Sequence, residues 1–182
     1  MHKQLKLFLV METFFISAFG MLGPIYAIFV QKIGGDILDA GTSWAIFMIV
    51  SGLGIYLMGK YHDRVQKDKL FIILGYSLVS AGYLGYCFVS NVMELFALQF
   101  LLGLGTVTLV PATYSFYTKY LEKGKFASQW AAWDSLYKGI QGIMALIGAF
   151  LAKIYGFRVL FLAMFLLSLI GLVFSMQLKD KK

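Results

Sequence analysis

The chain has 182 residues, of which 60% are hydrophobic, 17% aromatic and only 14% charged. A water-soluble domain of this length has too little interior to hide so much apolar surface, so the solvent is a bilayer. Two His and one Cys exclude a Cys/His zinc cluster and a disulfide framework, and the net charge of +7 has no soluble basic domain to carry it toward nucleic acid.

A membrane-crossing helix needs about 20 mostly apolar residues. Six stretches qualify: 5–30, 42–58, 70–89, 95–118, 127–152 and 159–178. The first is too long for a secretory signal, and no short apolar core leads to a small-residue cleavage site. It carries Glu12, then Ser17, Gly20, Pro24 and Tyr26. The second runs into GKYHDRVQKDK, residues 59–69, which gathers four basic and two acidic residues in eleven positions. The fourth sets Gln99, Gly103, Thr106, Thr113 and Tyr117 on one helical face and contains Pro111. The fifth carries Trp130, Trp133, Asp134, Tyr137, Lys138 and Gln141, with Gly139, Gly142 and Gly148 for close packing.

Basic residues set the orientation. Twelve of the sixteen fall in the N-tail, the second and fourth links and the C-tail, including Lys181 and Lys182. Lys32, Lys153 and Arg158 fall on the other side, and Lys138 lies within a span. The positive-inside rule then places both termini in the cytoplasm and the chain in the plasma (inner) membrane. The 59–69 stretch is thus a cytoplasmic turn between helices two and three.

Gly59, Asp63-Arg64, Lys67 and Lys69 also resemble the loop-two-to-three motif of the major facilitator superfamily. Gln66 stands where that motif has a second Gly, and Asp68 interrupts its basic run. QFLLGLG, from Gln99, resembles the family's fourth-helix motif with Gln in place of a common Arg. YGFRVLF, from Tyr155, resembles the segment that leads into its sixth helix. The resemblance spans the chain, yet covers only half of a usual twelve-span member.

It implies an all-α membrane protein: six transmembrane helices as two inverted three-helix repeats, about 1–92 and 93–182, in a single domain equivalent to half of a facilitator fold. Gly59 either admits a close neighbour or ends a helix, and Asp63 is suited to cap a helix N-terminus. In the family this Asp braces the cytoplasmic gate against the opposite half. Arg64 and Lys67 then hold phosphates, lipid headgroups or nearby carboxylates. The Met at the start and the KDKK ending are expected of a natural terminus. A fragment, or one of two unlike halves, is the alternative.

Ionisable residues within a span are functional candidates. Here they are Glu12, Asp134 and Lys138. Asp134 and Lys138 share a face at i,i+4 and either neutralise each other or serve a pathway. Glu12 either snorkels to the cytoplasm or carries a proton, a cation or a substrate amine. If helices one and five are neighbours, as the resemblance implies, Glu12 approaches Asp134 and Lys138. Gln99, Thr106, Gln141, Tyr137 and Trp130 complete the candidate pathway. The aromatics equally suit an interfacial belt. Pro24 and Pro111 sit late in the first helix of each triplet and are expected to break those helices near a binding region.

No GxxxxGK[ST] phosphate loop is present, no Ser/His/Asp set can be assembled, and no cofactor is expected. The expected function is secondary transport of a small solute or ion by alternating access. A homodimer closed over the polar face and embedded in lipid would perform it, with proton coupling. The alternatives are a non-transporting membrane subunit and one half of a heterodimeric transporter.

Overall fold

The computed structural model describes residues 3–180, so Met1, His2, Lys181 and Lys182 lie outside the described residues. Seven α-helices form six crossings, with no strand among the described residues. The first crossing is α1 (Lys3–Gly20), a 3-10 turn (Gly23–Ile25) and α2 (Tyr26–Lys32). Then follow α3 (Ile37–Val65), α4 (Asp68–Gly85), α5 (Val92–Thr118), α6 (Phe126–Tyr155) and α7 (Phe157–Ser175). Five of the six crossings are long and apolar enough to span a membrane. The remaining one, α4, has 18 residues and opens on Asp68 and Lys69, which shortens its apolar run.

Local chemistry explains the boundaries. α3 begins well before residue 42 because Asp36 and Asp39 form a reciprocal capping box. It also runs past Gly59 to Val65, which shrinks the expected 59–69 turn to Gln66 and Lys67. Gln66 closes that turn in the left-handed region at φ 51. Asn91 caps α5 by accepting from the Glu94 amide at 3.0 Å. The α6-to-α7 turn is the single residue Gly156, whose φ of 85 favours glycine.

The two prolines behave differently. Pro24 lies in the 3-10 turn that interrupts the first crossing, directly after Gly23. α5, by contrast, passes through Pro111 as one helix, so the expected break there is absent. A proline removes one backbone donor, and packing against neighbouring helices holds a membrane helix together across that loss. α5 packs along both α3 and α4.

The triplets are arranged reciprocally. α5 packs on α3 and α4, α1 packs on α6 and α7, and α4 meets α7 at the centre. Exchanging the first, second and third helices of the two triplets maps these principal contacts onto one another. α6, the second helix of its triplet, buries only Trp133 and Gly148; α3, its counterpart, buries only Ala40, Ser43, Ser51 and His62. Both leave most of their surface uncovered by this chain. At the α1–α6 crossing, Gly148 lies against the Met21 backbone and Gly20 against Gln141, where a Cβ would collide. Small residues thus let the two backbones meet.

The basic segments converge at one end of the bundle. The Lys179 amide donates to Gln4 Oε1 at 3.0 Å, and the Lys69 amide to Asp180 Oδ1 at 2.8 Å. Lys119, just past α5, donates to Asp68. The N-tail, both basic links and the start of the C-tail therefore share one face of the molecule.

Candidate functional site

Trp130, Trp133, Asp134 and Tyr137 recur at helical spacing, so α6 presents them on one face. That face meets Glu12 of α1 and Thr113 of α5 around a cavity of about 590 Å³. The volume suits a small organic solute. Among the described residues no basic side chain lines it. Lys138 instead donates to Asp134, and both side chains stay mostly exposed, at 72% and 59%.

Glu12 is buried, with 4% of its surface exposed. Its partner is Tyr76 of α4, whose hydroxyl lies 3.2 Å from Glu12 Oε1 and 3.2 Å from the Met11 carbonyl oxygen. Tyr76 itself is fully buried. The expected approach of Glu12 to Asp134 takes the form of a shared cavity, while Lys138 lies outside the lining. Tyr76 escaped sequence reasoning because one tyrosine among eleven carries no local mark.

The wall is aromatic. Trp130 and Trp133 stack at 5.0 Å between ring centroids, and Tyr117 lies 4.5 Å from Trp133. Phe8 meets Trp133 edge-on at 5.7 Å. Tyr117 donates to the Gln129 carbonyl at 2.7 Å, tying α5 to the first turn of α6. The buried Trp133 Nε1 has no acceptor among the described residues.

Other candidates lie elsewhere. Gln99 is buried and donates to the Tyr26 hydroxyl, which donates to Ser43 Oγ at 2.7 Å, which donates to the Ala40 carbonyl at 3.0 Å. This chain ties α5 to α2 and α3, away from the cavity. Thr106 folds back onto the Leu102 carbonyl at 3.0 Å, and Gln141 sits at the Gly20 crossing. The helix-four stripe is therefore divided: only Thr113 of its members lines the cavity.

The 59–69 segment borders a second hollow of about 500 Å³ between α3 and α5, lined in part by Gly59, His62, Asp63, Pro111 and Lys119. Gly59 is inside α3 and faces open space, so within this chain it admits no close neighbour. Asp63, Arg64 and Lys67 are exposed. Asp63 lies in the last turn of α3 and caps no helix N-terminus in this chain. The buried acid of the segment is Asp68, which accepts from Lys119 and pairs with His62 Nε2 at 2.7 Å.

Apolar crossings around a solute-sized cavity with a buried carboxylate make this a multi-pass helical membrane protein. The Major Facilitator Superfamily model matches residues 8–182, and the chain belongs to that family, one of transporters rather than enzymes. It is 29% identical over 167 residues to a multidrug resistance protein, MdtG, of Proteus mirabilis, covering 88% of this chain and 41% of that protein. It is 27% identical over 181 residues to MdtG of Escherichia fergusonii, covering 96% and 44%. It is 26% identical over 162 residues to the uncharacterized MFS-type transporter MJ1560 of Methanocaldococcus jannaschii, covering 88% and 42%. The chain spans less than half the length of these curated relatives.

Proposed function

We propose that the chain forms one half of a secondary transporter that moves a small solute by alternating access across the plasma (inner) membrane, with both termini in the cytoplasm. The observation that carries this reading is the cavity. Its described lining holds Glu12, Asp134 and an aromatic wall, and the helices of this chain leave one side of it open. With Asp134 paired to Lys138, Glu12 and a described lining without basic residues favour a cation, a proton or an amine-bearing solute, and aromatic faces attract such charges. The names of the relatives, a multidrug resistance protein and an MFS-type transporter, support transport.

The second half is a second copy of the chain. Asp134 and Lys138 stand exposed on α6, where lipid would solvate them poorly. Six crossings put two copies in the same orientation, so a twofold axis along the membrane normal pairs them. The first turn of α6 has no side-chain cap and no acidic residue. Asp63 of the other copy is the acceptor that this helix end lacks. The repeats 1–92 and 93–182 would be related within each copy, which the reciprocal packing of the triplets supports.

Glu12 is the proton carrier in this reading. In vesicles containing the chain, an imposed proton gradient should drive tetraphenylphosphonium accumulation, and Glu12→Gln should abolish the dependence on the gradient. Gradient-dependent uptake unaltered in Glu12→Gln would overturn the proton role. The coverage of less than half of each relative favours one rival, a half supplied by a different polypeptide. A stoichiometric partner of the same family on purification would establish that arrangement instead, and an unrelated partner would favour a non-transporting membrane subunit.

A further inference from the structure

Tyr76 has one hydroxyl proton and two acceptors within reach. Glu12 Oε1 and the Met11 carbonyl oxygen both lie 3.2 Å from its oxygen. A hydroxyl donates once and accepts up to twice; a carboxylate only accepts, while a protonated carboxyl also donates. Three groups sharing this geometry therefore have two hydrogen-bond arrangements, selected by the proton on Glu12. We propose that Tyr76 is a positioning residue that converts the protonation state of Glu12 into a change of backbone hydrogen bonding on α1.

When Glu12 is ionised, the Tyr76 hydroxyl turns to its carboxylate and leaves the Met11 carbonyl. When Glu12 is protonated, the carboxyl donates to the Tyr76 oxygen, and the Tyr76 hydroxyl donates to Met11. One proton arrives, one hydroxyl rotates, and no other group need move. The Tyr76 ring is held in place while this happens. It is fully buried, packs 5.4 Å from Phe15, and fills space that Gly171 of α7 leaves beside it. α1, α4 and α7 thus meet at the switch. The Met11 carbonyl belongs to α1, the helix whose crossing is interrupted at Gly23–Ile25.

The titratable neighbours of Glu12 are few. α4 supplies Tyr76, α5 supplies Tyr114, and α6 supplies Tyr137 and Asp134, the last occupied by Lys138. The only charged residue of α7 is Arg158, in its first turn.

The inference rests on Glu12 as a proton carrier, and infrared difference spectroscopy separates the two claims. The full chain in lipid is cycled between high and low pH. The wild type should show a carboxyl C=O band that is absent in Glu12→Gln, together with a tyrosine band that shifts on 13C-labelling of tyrosine. In Tyr76→Phe the carboxyl band should persist at higher wavenumber, since the protonated acid has lost its acceptor, and the tyrosine band should vanish. A carboxyl band at the same wavenumber in Tyr76→Phe overturns the role of Tyr76 and leaves the proton carrier standing. Loss of any Glu12-dependent band in the wild type overturns both. Should Tyr76→Phe fail to fold, the isotope-labelled wild type decides: a tyrosine ring mode that does not change with the carboxyl band refutes the switch.

Discussion

Lys119, one residue past the end of α5, donates its ammonium to Asp68, the first residue of α4, which is completely buried. His62, in the last turns of α3, pairs with the other carboxylate oxygen at 2.7 Å. One acid thereby ties three helix ends together at the basic face of the molecule. Its position at an N-terminus adds the favourable end of the α4 dipole.

Asp68 is the buried acid of this cluster, and its loss removes the acceptor shared by Lys119 and His62. Asp68→Asn should therefore lower stability by about 3 kcal/mol. Asp68→Asn combined with Lys119→Met should cost less than Asp68→Asn alone. Thermal unfolding of the purified variants in mild detergent checks both. Equal stability of Asp68→Asn and the wild type would show that the pair contributes nothing.

Gly148 holds the α1–α6 crossing by letting the Met21 backbone approach it. Gly148→Ala places a methyl group where that backbone lies, and overpacking of this kind costs about 1–3 kcal/mol. A fall in the unfolding midpoint is expected, with Gly139→Ala as the control, because nothing lies near Gly139.

Gln99 offers a separation between structure and transport. Gln99→Leu takes a donor from the buried Tyr26 hydroxyl and should cost about 1–3 kcal/mol of stability. Affinity for a cavity ligand, read by quenching of tryptophan fluorescence from Trp130 and Trp133, should stay within about twofold. A large loss of affinity with unchanged stability would return Gln99 to the solute pathway.

These cases show what could be read from the sequence. The six crossings were legible because hydropathy is a local property, and the placement of Trp130, Asp134 and Tyr137 on one face follows from helical period alone. The early start of α3 was missed because the signal is the short pair Asp36 and Asp39 rather than an apolar run. Pro24 interrupts its crossing where Gly23 precedes it, while Pro111 does not, because α5 is braced on two sides. Asp68 reads as one more loop charge until α5 ends beside α4, a contact across 51 residues. The Glu12–Tyr76 and Gln99–Tyr26 pairs are separated by 64 and 73 residues. Hydropathy and periodicity say which face a side chain occupies. They do not say which distant residue will meet it.

The central claim is that a second copy completes the cavity, with Asp63 at the end of α3 facing the uncapped start of the partner's α6. The most direct measurement is disulfide formation between Gly59→Cys and Ser128→Cys in native membranes, with Cys87→Ser removing the background thiol. The account predicts a covalent product of twice the chain mass that requires both cysteines and vanishes on reduction. Absence of that product in every state, with and without a proton gradient or a cationic solute, would contradict it.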